Sequence, residues 1–388
     1  MAARSAMAAA VAALLLAGAP AKAELQPEQP GRTELTQKLQ PHWLWVNEVS
    51  FTRMVDGRAY LIDADQGRML GMVSGGYGHA MLQLAPDGER FAVLSTHFSR
   101  GVRGDRTDVV TLYDSKTLTA GQEVVIPPKR YGGLPFIGTM PVTDDGRFSL
   151  IYNFTPEQSV TVVDLAAPKL VGEFPTPGCG LLYPTGPRRF FMQCGDGSLQ
   201  TLTLGADGAA QVGAVSAKLF ADDDPATEKG VRIGPAQWLF FTYSSEVHLI
   251  DGAGKAPVRK AKWSLLDQAT AGWRIGGLQP AAYHAPSGRL FTLMHEGGVN
   301  THKDPGGEVW VYDAKSGKRL QRIKLDGTAT SIAVSEDDKP LLYTVMAGVD
   351  ALVIYDAASG AKLRSVAGLG DSLTYLQPAP VQPAGGAR

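Results

Sequence analysis

Residues 309–323 read VWVYDAKSGKRLQRI. An apolar run of strand-forming residues stops on Asp313, a Ser-Gly pair supplies a turn, and a second run of alternating character follows. The same phrase recurs as YLIDADQGRML from Tyr60, LYDSKTLTAGQEV from Leu112, VVDLAAPKLVGEF from Val162, LIDGAGKAPVRKA from Leu249 and IYDAASGAKLRSV from Ile354. A weaker copy, LTLGADGAAQVGAV from Leu202, has Gly205 where the others have Asp63, Asp114, Asp164, Asp251, Asp313 and Asp356, so its turn is expected to rest on glycine. The copies lie about 41 to 62 residues apart, in and above the range of a four-stranded propeller blade.

A second phrase alternates with the first, for example QLAPDGERFAVLS from Gln83, PVTDDGRFSLIYN from Pro141 and YHAPSGRLFTLMH from Tyr283. Each gives a short strand, a Pro/Asp/Gly reversal and an apolar strand. The two phrases together make four strands per unit. The first unit begins at its second strand, LWVNEV from Leu44, while SLTYLQP from Ser372 is left over at the C-terminal end. The expectation is an all-β chain, a seven-bladed β-propeller of four-stranded antiparallel blades with its ring closed by the C-terminal strand. Two stacked β-sandwich domains would need a linker, and no Pro/Ser-rich or charged run supplies one.

With 388 residues, 44% hydrophobic and a formal net charge of -1, the chain has ample material for a core. It has no bulk attraction for nucleic acid or an anionic membrane. MAARSAMAAAVAALLLAGAPAKA combines Arg4, an apolar run through Leu16 and small residues at Ala21 and Ala23. That pattern predicts an export signal over 1–23, too short for a membrane span, and a mature protein in the periplasm. Residues 24–42, interrupted by Pro27, Pro30 and Pro41, are expected to be an N-terminal arm, either disordered or ordered on a partner. The propeller is assigned to 43–378 and a disordered tail to 379–388.

Cys179 and Cys194 are the two cysteines, and they flank the strand-turn-strand segment GLLYPTGPRRFFMQ. In an oxidising compartment a disulfide is expected over two free thiols, and closing a loop of about 15 residues would contribute roughly 3 kcal/mol in the chain-entropy model.

Residues with reactive chemistry are few. His295 and His302 flank EGGVN without a third ligand at metal spacing, and ADDDPATE from Ala221 lacks the alternating ligands of a calcium loop. SGGYGH from Ser74 is followed by a strand, so it offers a phosphate no helix N-terminus. No metal site and no catalytic residue is therefore assigned. THFSRGVRGDRTD, 96–108, stands out: Arg100, Arg103 and Arg106 alternate with Asp105 and Asp108, with Phe98 among polar neighbours. It is either a solvated charged loop or a docking surface, since interfaces enrich arginine and aromatic residues.

FSRGVRGDRTDVVTLYD, IPPKRYGGL from Ile126, FMQCGDGSL from Phe191, WSLLDQATAGWRIGG from Trp263 and THKDPGGEVWVYDAKSGKR from Thr301 together resemble the heavy subunit of the tryptophan tryptophylquinone amine dehydrogenases. The resemblance runs from about Trp43 to Gly370. The IPPKR, CGDGSL, WSLL and THK segments look more like the aralkylamine enzyme, and Phe98-Ser99-Arg100 and KPLLYTV from Lys339 more like the methylamine enzyme.

The resemblance implies a heterotetramer of two heavy and two light subunits, with tryptophan tryptophylquinone and the catalytic base on the light subunit. A primary amine would be oxidatively deaminated to aldehyde and ammonia, with electrons passed to a type I copper protein of azurin or amicyanin kind. Phe98 would line the amine channel, and Arg100, Arg103 and Arg106 would stand at the channel mouth and light-subunit interface. The alternatives are a solitary periplasmic binding propeller or a metal-dependent propeller hydrolase. The first predicts a stable monomer, the second a central cluster of carboxylates.

Overall fold

The computed structural model describes residues 31, 33–36, 38–49, 54–133 and 136–380. The chain separates into two units, Met1–Glu34 and Leu35–Arg388, and the fold described is that of the second. The expected signal segment 1–23 lies outside the described residues, as does 381–388 of the expected tail.

The second unit is an all-β propeller, and its strands follow directly from the two repeated phrases. Asp63, Asp164, Asp251, Asp313 and Asp356 each end a strand, Asp114 directly follows one, and all six accept a backbone N–H two or three residues on, at 2.7 to 3.0 Å. The side chain thus closes the turn into the following strand, which is why the phrase needs aspartate there. In the weaker copy Gly205 donates its N–H to the Ala209 carbonyl, and Asp207 accepts from Ala209 N–H at 3.1 Å. Aspartate is therefore retained there, displaced by two residues.

Five sheets are of blade size. One pairs Leu373–Pro378, Trp43–Glu48, Arg58–Asp63 and Arg68–Ser74, and the next Met81–Leu84, Phe91–Phe98, Arg106–Tyr113 and Ala120–Ile126. The third contains only Phe148–Asn153, Ser159–Asp164 and Lys169–Pro175. The two after it run from Cys179 to Val215 and from Val231 to Ser264, with four strands each. The remaining strands, Trp273–Ile275 through Lys362–Ala367, form a single eight-stranded sheet.

This corrects the expectation of seven four-stranded blades. In the third sheet the opening strand fails: Pro141 has no N–H to give, and only an isolated bridge, Val142 to Ser149, forms. In the last sheet Arg319–Val334 runs as one strand through Asp326-Gly327, pairing with Gly306–Asp313 on one stretch and Leu341–Met346 on the next. Leu373–Pro378 pairs antiparallel with Trp43–Glu48. That pairing completes one four-stranded sheet, and the expected closure of a seven-blade ring falls with the blade count.

Inner strands are buried on both faces, as in Phe148–Asn153 and Ser159–Asp164, whereas last strands such as Val258–Ser264 are largely exposed and carry Arg259, Lys260 and Lys262. Charge on an outer strand discourages edge-to-edge pairing. The core lies between neighbouring sheets: Leu94 and Val110 of one pack with Ile151 and Val163 of the next. Burying a side chain of this size contributes roughly 1.5–3 kcal/mol.

Candidate functional site

The loop that carries the expected site residues is a hairpin with its register fixed through Thr96 opposite Asp108 and Phe98 opposite Arg106. Ser99 N–H donates to Asp105 O and Arg100 N–H to Arg103 O, each at 3.0 Å. Gly101 and Gly104 take positive φ of 73° and 100°, which lets so short a reversal close. Arg100 and Arg103 are exposed at its tip.

Phe98 is half-buried, its ring edge-on to Tyr77 with centroids 5.0 Å apart at 83°. This is the favoured arrangement of two aromatic quadrupoles. Tyr77 comes from the SGGYGH stretch. Gly76 has φ +67°, and a Cβ there would run into the Thr96 carbonyl, so only glycine allows Tyr77 N–H to reach Thr96 O at 2.8 Å. The glycines that offer no phosphate cradle thus bring a second aromatic to Phe98.

Beneath the pair lies a buried polar network. Asp108 is fully buried and accepts from Thr96 Oγ1 (2.8 Å), Arg106 Nε (2.9 Å), Arg106 Nη2 (2.7 Å) and the Arg130 backbone N–H (3.3 Å). Arg130, 3% exposed, donates from Nε to Thr96 Oγ1 at 2.6 Å and from Nη2 to the Tyr77 carbonyl at 3.3 Å. Burial pulls the Arg130 guanidinium down to about 10 and the nearby Arg106 charge adds to this, while the Asp108 carboxylate opposes both. Arg130 therefore remains charged at neutral pH. Burial, with Arg130 beside it, holds the His79 imidazole well below its ordinary value, so that ring is neutral.

Of the four loop residues singled out, Phe98 and Arg106 are joined through this network, and Arg100 and Arg103 stay outside it. Arg130 and Tyr77 were missed as functional candidates. The repeats carry no mark of either, because their contacts cross between separate loops.

Arg130 also bridges to Asn153, and Tyr131 N–H donates to Tyr152 O at 2.9 Å, which leads from the hairpin to a cavity of about 500 Å³. Tyr131, Phe136, Tyr152, Phe154, Cys194 and Glu228 are among its lining. Cys179 and Cys194 stand directly opposite in register, Cα atoms 4.0 Å apart, and are joined as a disulfide. A second cavity, of about 440 Å³, shares Phe136 and Glu228 with the first and adds Lys229, Gln279 and Glu336. Lys229 donates to the carbonyls of Gly277 (2.5 Å) and His302 (3.1 Å), and burial lowers its ammonium to about 8. The His302 ring stacks on Tyr243 at 3.8 Å, and His295 Nε2 hydrogen-bonds Thr301 Oγ1 at 2.9 Å.

The same span of chain, residues 42–377, matches the family model described as methylamine dehydrogenase heavy chain. The chain belongs to this family. It is 34% identical to the methylamine dehydrogenase heavy chain of Methylorubrum extorquens over 320 residues, 80% of this chain and 76% of that one. With the heavy chain of Paracoccus versutus it shares 35% over 325 residues, covering 80% and 73%. With that of Methylophilus methylotrophus it shares 32% over 384 residues, covering 93% and 92%.

Among solved structures, a functionally unknown protein from Desulfotomaculum acetoxidans superposes with TM-score 0.60 at 11% identity, over 86% of this chain and 98% of that one. Dihydro-heme d1 dehydrogenase superposes at 0.54 and 18%, over 97% and 86%. At these identities the likeness concerns the fold alone. Membership of the methylamine dehydrogenase heavy chain family makes this chain a heavy subunit of the amine dehydrogenase kind. It does not carry the preference for aralkylamines that the sequence segments suggested.

Proposed function

We propose that this chain is the non-catalytic heavy subunit of a periplasmic quinoprotein amine dehydrogenase, and that it pairs with a quinone-bearing light subunit as a heterotetramer of two heavy and two light chains. The observation that carries the reading is the family match over residues 42–377. The overall reaction is R–CH2–NH2 + H2O → R–CHO + NH3 + 2H+ + 2e−, with the electrons leaving to a type I copper protein. Tryptophan tryptophylquinone on the light subunit supplies the electron sink.

This chain's own tryptophans serve packing. Trp45, Trp238 and Trp310 are fully buried, and Trp273 lies against Trp310 with the Arg322 guanidinium over both rings at 4.9 and 4.7 Å. The work left to this chain is to bind the partner, exclude water and shape the amine's path. Arg100 and Arg103, exposed on a tied hairpin, suit contact with the partner, and arginine forks are well adapted to carboxylates across an interface. Phe98, braced by Tyr77, would line the amine channel, and Arg106 fixes the base of its strand on Asp108.

The amine is proposed to be an aralkylamine, on the IPPKR, CGDGSL, WSLL and THK segments. Methylamine, named in the relatives, is the competing substrate. The test is gentle purification of the tagged chain from its native periplasm, followed by intact mass and visible absorption. A co-purifying small subunit whose quinone absorbance bleaches faster with phenethylamine than with methylamine is expected. A colourless lone monomer would overturn the assignment and favour a solitary binding propeller. Phe98→Ala should change the preference between short and long amines more than turnover of the best amine. Equal loss across the series would remove Phe98 from the channel.

A further inference from the structure

We infer that the aromatic cavity beside the disulfide is a binding site for the ammonium form of a primary amine with an apolar or aryl body. The choice of ligand deepens the amine dehydrogenase reading and rests on it, but the site itself is argued from the cavity.

At about 500 Å³ the space suits a small organic molecule. Its walls are rings set at differing tilts. Tyr131 lies 5.9 Å from Tyr152 at 32°, 6.2 Å from Phe136 at 24° and 6.1 Å from Phe154 at 88°. Such walls present both ring faces and ring edges, and the faces attract an organic cation. Phe154 is 52% exposed, an unusual position for phenylalanine, and it stands at the rim. The wall is also closely fitted, since a Cβ on Gly180 would fall 2.5 Å from the Tyr152 ring.

Glu228 supplies the charge. It is half-buried and lines this cavity and the neighbouring one. Its carboxylate has no hydrogen bond or ion pair among the described residues, whereas most carboxylates around it are paired. Asp222 on the rim holds Lys218 at 2.6 Å, and the adjacent Lys229 ammonium is engaged by the Gly277 and His302 carbonyls. The nearest cationic group it acts on, Lys229, is already engaged by those carbonyls, so the Glu228 carboxylate is left open to a cation entering the cavity. A hard divalent ion would need several oxygen ligands, which one carboxylate among aromatic rings does not provide. An ammonium group on an apolar body meets both surfaces: the charge on Glu228 and the body on the rings. Because Phe136 and Glu228 are shared with the adjoining cavity, an amine held here would lie at the boundary between the two.

The test uses the full chain, with whatever partner it retains, and α,α-dimethylphenethylammonium as probe. Its nitrogen-bearing carbon has no hydrogen, so it cannot be oxidised. Calorimetric titration should give saturable binding, weakened about 10-fold or more in Glu228→Gln, as expected for a lost charged hydrogen bond. Phe154→Ala should weaken it about 2- to 5-fold, and as a rim substitution it is expected to leave the fold intact should Glu228→Gln disturb it. The matching neutral alcohol should bind far more weakly than the ammonium probe. Absence of saturable binding, unchanged affinity in both variants, or equal binding of the alcohol would overturn the site. Failure to find a quinone-bearing partner would defeat the dehydrogenase reading and leave this binding measurement standing.

Discussion

The two ends of the sheets are built in opposite ways. At the end where each third strand turns into the fourth, one device repeats: an aspartate carboxylate accepts backbone N–H groups within three residues of itself, as at Asp63, Asp114, Asp313 and Asp356. At the other end no device repeats among the described residues. Asp108, Thr96 and Arg130 form a single buried network between loops, Phe98 leans on Tyr77, a disulfide joins Cys179 to Cys194, and aromatic rings wall a cavity around Glu228. Repeated local chemistry makes the scaffold, and the singular long-range contacts make the surface that differs from one propeller to another.

Asp108→Ala should give the largest effect. It removes the buried carboxylate that pairs with Arg106 at 2.7 Å and whose charge offsets that of buried Arg130, and leaving a buried charge without its counter-charge costs about 3–5 kcal/mol. The urea midpoint of the full chain should fall well below that of Asp313→Ala, whose turn is exposed to water. Equal shifts at the two sites would erase the contrast between the ends.

Replacing Cys179 and Cys194 together with serine sharpens the contrast on the same end. The loop they close spans 15 residues, and its loss should cost about 3 kcal/mol in the chain-entropy model. The two cysteines already face each other across a hydrogen-bonded hairpin. A midpoint that does not move would mean that the hairpin alone constrains the segment.

The same contrast explains what the sequence revealed. The aspartate turns are legible because donor and acceptor lie within three residues, so the chain must spell them out each time. The disulfide is legible from two cysteines at the ends of one hairpin. Arg130 is not, since its value depends on Thr96 and Tyr77, 34 and 53 residues away. Glu228 likewise leaves no pattern in the sequence, because no hydrogen bond or ion pair ties its carboxylate to another described residue. The blade count went astray where strand and turn signals conflicted. PVTDDG looks like a strand and reversal, but Pro141 removes a ladder donor. At Asp326-Gly327 the strand continues without a break, with Gly327 at a positive φ of 138°.

The smallest effect is expected at the repeated turns, and it is read by pH. Burial alone would raise the Asp164 carboxyl, but hydrogen bonds from Arg147 and from the Ala167 and Ala166 N–H groups outweigh it and hold the group below its ordinary value. A carboxyl held low in the folded chain contributes stability that is fully present above the unfolded value of about 4 and is lost as pH falls through the folded one. Asp164→Asn should therefore lower the urea midpoint slightly at pH 7 and shrink the difference between pH 7 and pH 3. Asp313 is also held low, chiefly by the Ser316 hydroxyl and N–H, and Asp356 by the same two groups of Ser359. If the turns act independently, each substitution should remove its own small share of the acid limb, and the shares should add. A single substitution that removed the whole limb would show the turns to be coupled through the sheets, and the distinction between a repeated, separable end and a singular, connected one would fail.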